Sequence, residues 1–419
     1  MVTLLNSRGL RKMSMLIFAL LPLLSWYEIP FPVSLGSALI LFLSTFVIFF
    51  SGFKVNIIPS SLFIVFLYVC IMWTYNHNFA IWTLLPPGGW TFFIFILGLL
   101  LGIMTYDQTL LKKYMRWIVL ISGTLFWIQF VLVVVTGSPQ ICVVPNLTGS
   151  FIYEHYSYAD IVAKHLSGSL PSSIFLEKSY LAYYFLTYLA LLWFDNSNAN
   201  RFFSKETLFV ILTLLVSKSG TALVGFSVLA VVKIFSLYWN TDLIRRVLLI
   251  IMIIPILLGV TYTYISTEIG QQMLSRTEEF SNEGSSGYVR VVGGYIMFES
   301  LTPTEQIFGI PDARKRFGYE KANGDFVFYV NGVQSILLNL GYVGAILYLL
   351  FYASIFRKVA LSSKMCLIVL LVMSLLESNY LNPYMMLLTI VPCSEIYLNR
   401  NSKKNENYYV GIRHTPRSH

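Results

Sequence analysis

Charge is scarce in this chain. Asp, Glu, Lys and Arg make up 12% of its 419 residues, whereas 56% are apolar. A water-soluble fold could not hide that much apolar surface, so a soluble globular domain is excluded and the solvent is mostly lipid. Cysteine is scarce as well: Cys70, Cys142, Cys366 and Cys393 show neither paired nor metal-like spacing, which argues against a disulfide framework or a thiolate metal site. The sequence has no Walker loop, no His-Glu-x-x-His helix, no Gly-x-Ser-x-Gly elbow and no carboxylate pair at metal-ligand spacing. Asp-x-Asp is also missing, so a nucleotide sugar held through a metal is not expected. No internal repeat, coiled coil or soluble domain is visible, and no cofactor is implied.

What is abundant is apolar sequence of helix length. Runs near 13–29, 33–50, 57–75, 90–105, 117–137, 179–194, 203–217, 220–239, 246–265, 333–355, 365–378 and 382–398 approach the roughly 20 residues that cross a hydrocarbon core of about 30 Å. The expectation is an all-α polytopic membrane protein of about 12 transmembrane helices, one integral domain over 1–419. The first run follows basic residues and lacks a small-residue cleavage site, so it reads as an uncleaved anchor.

Lys and Arg orient this set, because short cytoplasmic loops retain them. With the N-terminus inside, 20 of the 29 fall on the inner side, five of them in a basic, polar tail over 399–419. Both termini are then cytoplasmic. Reading 207–239 as one long helix, instead of a hairpin turned at Ser217-Lys218-Ser219-Gly220, would invert all that follows and even out the basic residues. The positive net charge is explained by topology and lipid headgroups, so nucleic acid is an unnecessary partner.

Two large loops project outward, over 138–178 and 266–330. The first is rich in Tyr and carries Glu154, His155, Asp160, Lys164 and His165 before Glu177-Lys178 opens a helix. Aromatic rings beside carboxylates suit carbohydrate; an interfacial aromatic belt is the alternative. Glu177 stands where a negative charge meets the positive end of the helix dipole. The turn bearing Lys218 follows a short helix and is expected below the outer membrane surface, where a cation needs a partner or a wet cavity. In the second loop Val289, Val292, Tyr295 and Ile296 share one face of a helix expected over 288–300, lying along the membrane surface. Gly284-Ser285-Ser286-Gly287 would offer backbone N–H groups at its start, and Arg290 a guanidinium: together they make a phosphate seat. Arg314, Lys315 and Arg316 form a basic run downstream.

Four stretches resemble the O-antigen and capsule polymerases. SSIFLEKSYLAYYFLTYLALL (172–192) is similar to their Phe-Leu-Glu-Pro-Ser stretch, with Lys178 in place of Pro. LLVSKSGTALVGF (214–226) resembles their Ser-x-Ser-Gly-Thr helix start, SSGYVRVVGGYIMF (285–298) their Arg-bearing loop, and NGVQSILLNLGYVGAILYLLF (331–351) the helix that follows. The resemblance implies a GT-C-like transferase in the bacterial inner membrane with two large periplasmic loops. It would join undecaprenyl-diphosphate-linked oligosaccharide repeat units, needing neither metal nor nucleotide, with membrane lipid and a chain-length regulator as partners. It implies that Lys218, Arg276, Arg290 and Arg314 bind diphosphate. Arg276 and Gly287 also reproduce the family's Arg-x10-Gly spacing. Glu177, Arg290 and Asp325 are the catalytic candidates, and Glu283 is a further possible base.

The ligase branch, which transfers finished polymer to a lipid A core, shares this architecture. Its helix start carries His, then Asn, Ser or Gln, then two small residues at fixed spacing. Asn331, Gly341 and Gly344 keep that spacing, but Val330 stands where the His would be, and valine cannot accept a proton. A lipid-linked-oligosaccharide flippase or other transporter is the remaining alternative, although such proteins place polar groups inside their helices and show related halves.

Overall fold

The computed structural model describes residues 8–29, 34–51, 64–65, 67–68, 71, 87–149, 151, 157–167, 171–194, 204–239, 288–310, 313–320, 326–327, 330–376 and 386–397. The architecture is helical: α1 (Arg8–Leu24), α2 (Leu35–Ser51), α3 (Pro87–Thr105), α4 (Gln108–Thr136), α5 (Tyr158–Ser167), α6 (Lys178–Trp193), α7 (Lys205–Val216), α8 (Gly220–Trp239), a π-turn at Val289–Gly293, α9 (Gly294–Glu299), α10 (Pro303–Phe308), α11 (Ala313–Phe317), α12 (Gly332–Phe356), α13 (Leu361–Leu376) and α14 (Met386–Tyr397). One two-residue antiparallel pair, Tyr319–Glu320 with Phe326–Val327, interrupts it. Of the expected spans, 246–265 lies outside the described residues and 57–75 is described only in fragments.

Among the described residues, three helices, Gln108–Thr136, Gly220–Tyr238 and Gly332–Phe356, are long and apolar enough to cross a membrane. On α4 the inward residues Met115, Val119, Ser122, Phe126 and Gln129 repeat at helical spacing, while Trp117, Ile121, Ile128 and Val131 are exposed on the other side. Both faces are apolar, which suits a helix packed on protein one way and bathed in hydrocarbon the other. Asp107 caps its start, accepting from the Leu110 N–H at 3.0 Å, and Gly137 closes its end in the left-handed region at φ 82°.

The centre of the bundle is α6. Every side chain from Ser179 to Trp193 is buried, and α4, α7, α8 and α13 pack around it. A helix apolar on all sides has no lipid or water stripe to offer. Close approach is secured by glycine: a Cβ on Gly225 would fall 2.3 Å from Leu186, and one on Gly123 2.4 Å from Phe209. At one end, Glu206 accepts from the Tyr188 hydroxyl and pairs with Arg116 Nε at 3.1 Å, tying α6, α7 and α4 together.

The helix α12 is broken. Gly341 adopts φ 64° and ψ −171°, a conformation open essentially to glycine alone. The break frees carbonyls, and two of them find donors from outside the helix: Tyr68 Oη donates to Leu340 O at 2.8 Å, and Ile310 N to Leu338 O at 2.8 Å. The short helices α9, α10 and α11 lie against α12, and Phe298, Leu301, Ile310, Ala313, Val330 and Leu338 form a second small core there.

Candidate functional site

The segment before α6 is stitched to the bundle by side chains chosen for it. Ser173, at φ 59°, donates through Oγ to Ser122 O at 2.6 Å and through its N–H to Gln129 Oε1 at 2.9 Å. The same Gln129 donates to Ile141 O at 3.0 Å, so one carboxamide holds both limbs of the first loop. Phe175 and Leu176 are buried, with the Phe175 ring 5.6 Å from that of Tyr184. The Phe-Leu-Glu motif thus plugs the end of the bundle and sets Glu177 at the N-cap of α6.

Glu177 makes no side-chain capping bond; its carboxylate accepts from Lys164 Nζ at 3.1 Å. Lys164 comes from α5, a helix inside the first loop that the sequence reading missed. Its signal was present: Ser157 and Asp160 form a reciprocal pair at its start, with Ser157 N donating to Asp160 Oδ2 at 2.9 Å. That hydrogen bonding holds the Asp160 carboxyl below its usual range. The next residue, His165, is buried, with Nε2 3.1 Å from Leu176 O and Ser172 Oγ 3.4 Å from Nδ1. Burial lowers its pKa from the ordinary histidine value, an effect the carbonyl contact opposes.

The tyrosines are used differently from expectation. Tyr180, Tyr183 and Tyr184 are core residues of α6, and Tyr158 donates to Val144 O at 3.0 Å, tying the loop to itself. These four pack the protein interior or tie the loop; Tyr153 and Tyr156 of the same loop lie outside the described residues.

Lys218 sits at φ 48° in the turn joining α7 to α8, half-buried beside Ser217 and Ser219. Its depth follows from the registers. From the Tyr188–Glu206 bond, Glu177 lies eleven residues back along α6 and α7 runs ten residues on to Val216, two before Lys218, roughly 17 and 15 Å of helix. The two therefore reach similar heights. Trp127 Nε1 donates to Thr213 at 3.1 Å, and from that level α4 continues nine residues to Thr136 whereas α7 ends three residues on at Val216. Two parallel helices, α6 and α8, thus present their N-termini at nearly one level, recessed beneath the end of α4. The unsatisfied N–H groups and dipoles there favour an anion.

Arg290 belongs to a second neighbourhood. The helix expected over 288–300 is a π-turn followed by α9, and its exposed apolar residues are Val291, Tyr295 and Ile296, while Phe298 turns inward. Asn331 Nδ2 donates to Arg290 O at 2.7 Å. Asn331 and Gln334 form a reciprocal capping box at the start of α12: Gln334 N donates to Asn331 Oδ1 at 2.8 Å and Asn331 N to Gln334 Oε1 at 2.9 Å. Gly332 packs against Ser374 near the end of α13, which also packs on α6 and α8. One helix thus separates the Arg290 neighbourhood from that of Glu177 and Lys218.

Val330 is buried in the small core between α9, α10 and α12, and Asn331, Gly341 and Gly344 cap, break and closely pack α12. Arg316 pairs with Glu305, whose carboxyl is held below its usual range first by the Thr302 N–H and then by Arg316. Of Arg314 only the backbone is described, in α11; Arg276, Glu283 and Asp325 lie outside the described residues.

A family model described as WcaD colanic acid polymerase matches residues 88–394, well over half the chain and including both neighbourhoods. No curated protein and no solved structure gives a significant match.

Proposed function

The chain belongs to the WcaD colanic acid polymerase family, and from that premise we propose that it joins undecaprenyl-diphosphate-linked oligosaccharide repeat units into a bacterial surface polysaccharide, O-antigen or a related polymer, on the outer face of the inner membrane. Membership alone makes it a polysaccharide repeat-unit polymerase, a membrane enzyme of glycosyltransferase type. The observation that carries the finer reading is the placement of a carboxylate, Glu177, level with Lys218 at two parallel helix N-termini.

In this reading those N-termini face the periplasm, recessed where a lipid-borne diphosphate enters. Lys218 and Arg290 bind diphosphate, joined by Arg276 and Arg314. The acceptor hydroxyl loses its proton to Glu177 as its oxygen attacks C1 of the donor sugar; the bond from C1 to the phosphate oxygen breaks, and the lipid diphosphate leaves with the electron pair. Asp325 and Glu283 are the other candidate proton acceptors. Cations and helix dipoles offset the charge that grows on the leaving group. No metal is required in this scheme. The burial of Val330 supports a polymerase over a ligase, since a histidine there would lie in an apolar core. A chain-length regulator would act as a partner.

The test is a defined reaction. Purified protein given only lipid-diphosphate-linked repeat units should build longer lipid-linked chains, without lipid A core, in the presence of chelator, and without consuming nucleotide sugar. Activity that appears only with core acceptor would make the protein a ligase; movement of units across vesicles without elongation would make it a flippase.

A further inference from the structure

Beside Arg290 lies a polar group that the capping box does not use up. Gln334 is fully buried, and its Nε2 has no hydrogen-bond partner. The orientation of the carboxamide is settled by chemistry: the Asn331 N–H can only donate, so the atom facing it at 2.9 Å must be the oxygen. The nitrogen is left as a buried donor, a situation rare enough to call for an acceptor. Gly294, at the start of α9, makes room for this group; a Cβ there would fall 2.4 Å from both Cδ and Oε1 of Gln334. Asn331, the other half of the box, grips the Arg290 carbonyl at 2.7 Å. The Arg290 main chain, Gly294, Asn331 and Gln334 therefore interlock, and the unspent donor belongs to the assembly that positions Arg290.

We propose that Gln334 is a substrate-binding residue whose Nε2 donates to an oxygen of the lipid diphosphate bound by Arg290. The inference rests on the diphosphate reading of Arg290 and extends it with a residue of defined geometry. In that reading a donor acting on the diphosphate that Arg290 holds favours an anionic oxygen over a neutral one, because both contacts act on the same charge. Gly294 at the start of α9 lies against the carboxamide, and the diphosphate reaches the donor as α9 shifts at the π-turn, an i→i+5 element of the kind often found at functional sites.

Q334E separates this role from capping. A Glu three residues after the cap is itself a capping-box residue, so the substitution preserves the acceptor facing the Asn331 N–H and replaces only the donor. The full chain, purified in detergent, is titrated with farnesyl diphosphate, inorganic pyrophosphate and farnesol, following Tm, and is assayed for chain building from lipid-linked repeat units. Wild type should be stabilised by both diphosphates and not by farnesol. Q334E should lose about ten- to a hundredfold in diphosphate affinity and in rate, with a lower ligand-free Tm because the introduced carboxyl is buried. Acidification that protonates the introduced carboxyl returns an O–H donor and should recover part of the affinity relative to wild type at the same pH. G294A, which displaces the carboxamide without changing it, should weaken diphosphate binding in the same direction and serves as the second variant because Q334E lowers the ligand-free Tm. Wild-type affinity and rate in both variants would overturn the role of Gln334 while leaving the polymerase reading intact. Wild type that elongates chains but binds neither diphosphate would overturn it too, and wild type that does neither would overturn both.

Discussion

The side-chain amide of Asn331 donates to the backbone carbonyl of Arg290 over 2.7 Å while its oxygen caps α12 at the Gln334 N–H, 2.8 Å away. One side chain therefore fixes the start of a helix and the position of a residue 41 places earlier in the chain. Asn331→Asp preserves the cap acceptor and removes the donor. It should leave protein level near normal and reduce polymer formation roughly tenfold, because the Arg290 turn loses its tether. Asn331→Ala removes both contacts and should also destabilise by about 1 kcal/mol. Polymer ladders from a complemented deletion strain, normalised to protein by blotting, check both, and full ladders from Asn331→Asp would free Arg290 from this dependence.

Arg290→Ala should lower polymer formation roughly a hundredfold or more, the scale of removing a donor that acts on developing charge. Arg290→Lys should recover little, since a point charge does not replace a bidentate fork. Arg316 is already paired with Glu305, so Arg316→Ala should be mild. Equal effects at the two arginines in the elongation assay would sink the distinction.

Gly341→Ala should damage the protein itself. The conformation at φ 64° and ψ −171° costs a non-glycine residue about 1–3 kcal/mol, and the added Cβ would fall 2.4 Å from Ile307 O, a backbone atom. The expected result is a lower Tm in detergent and less protein in the membrane. A Tm equal to wild type would mean that the break in α12 is not needed.

The packing of α5 should weaken in acid. His165 has a lowered pKa in the folded state, so the unfolded segment binds more protons once pH drops below about 6.5, and stability is lost as pH falls through that value. Protection factors of the amides over 158–167, corrected for the intrinsic pH dependence of exchange, should therefore be lower at pH 5.5 than at pH 7.5, and His165→Gln should flatten the difference. A difference that survives the substitution would place the titration elsewhere.

Orientation is open to thiol labelling. A cysteine at Ser281 should react with a membrane-impermeant reagent in intact spheroplasts, and one at Ser402 should not. The reverse pattern would reject the hairpin at Lys218.

The long described helices, α1 to α4, α6 to α8 and α12 to α14, were legible because apolar runs separated by polar turns leave little freedom in lipid, and Glu177 at a helix start was legible from its motif. The break at Gly341 was not: it interrupts an unbroken apolar run, and nothing in Asn-Leu-Gly-Tyr announces a positive φ. The π-turn at Arg290 was hidden for a similar reason, since helical periodicity is blind to one extra residue per turn. The helices α5 and α10 could have been found. Ser157 with Asp160, and Thr302-Pro303 with Glu305, are capping signatures. The tyrosines were misleading because α6 is enclosed on every side, so residues that suggest a surface are packing a core.

That enclosure also decides how the protein meets different membranes. When a bilayer thickens or thins, helices in contact with acyl chains tilt or bend to match it. Helices with exposed apolar faces, among them α2, α4, α7, α8, α12 and α13, are the ones that respond. The helix carrying Glu177 touches only its neighbours, and its depth relative to Lys218 is set by the Tyr188–Glu206 tie, not by lipid. Reconstituted into bilayers of different acyl length, the protein should hold that pair of charges in fixed register while its perimeter adapts, so that turnover varies less with thickness than the tilt of the outer helices does.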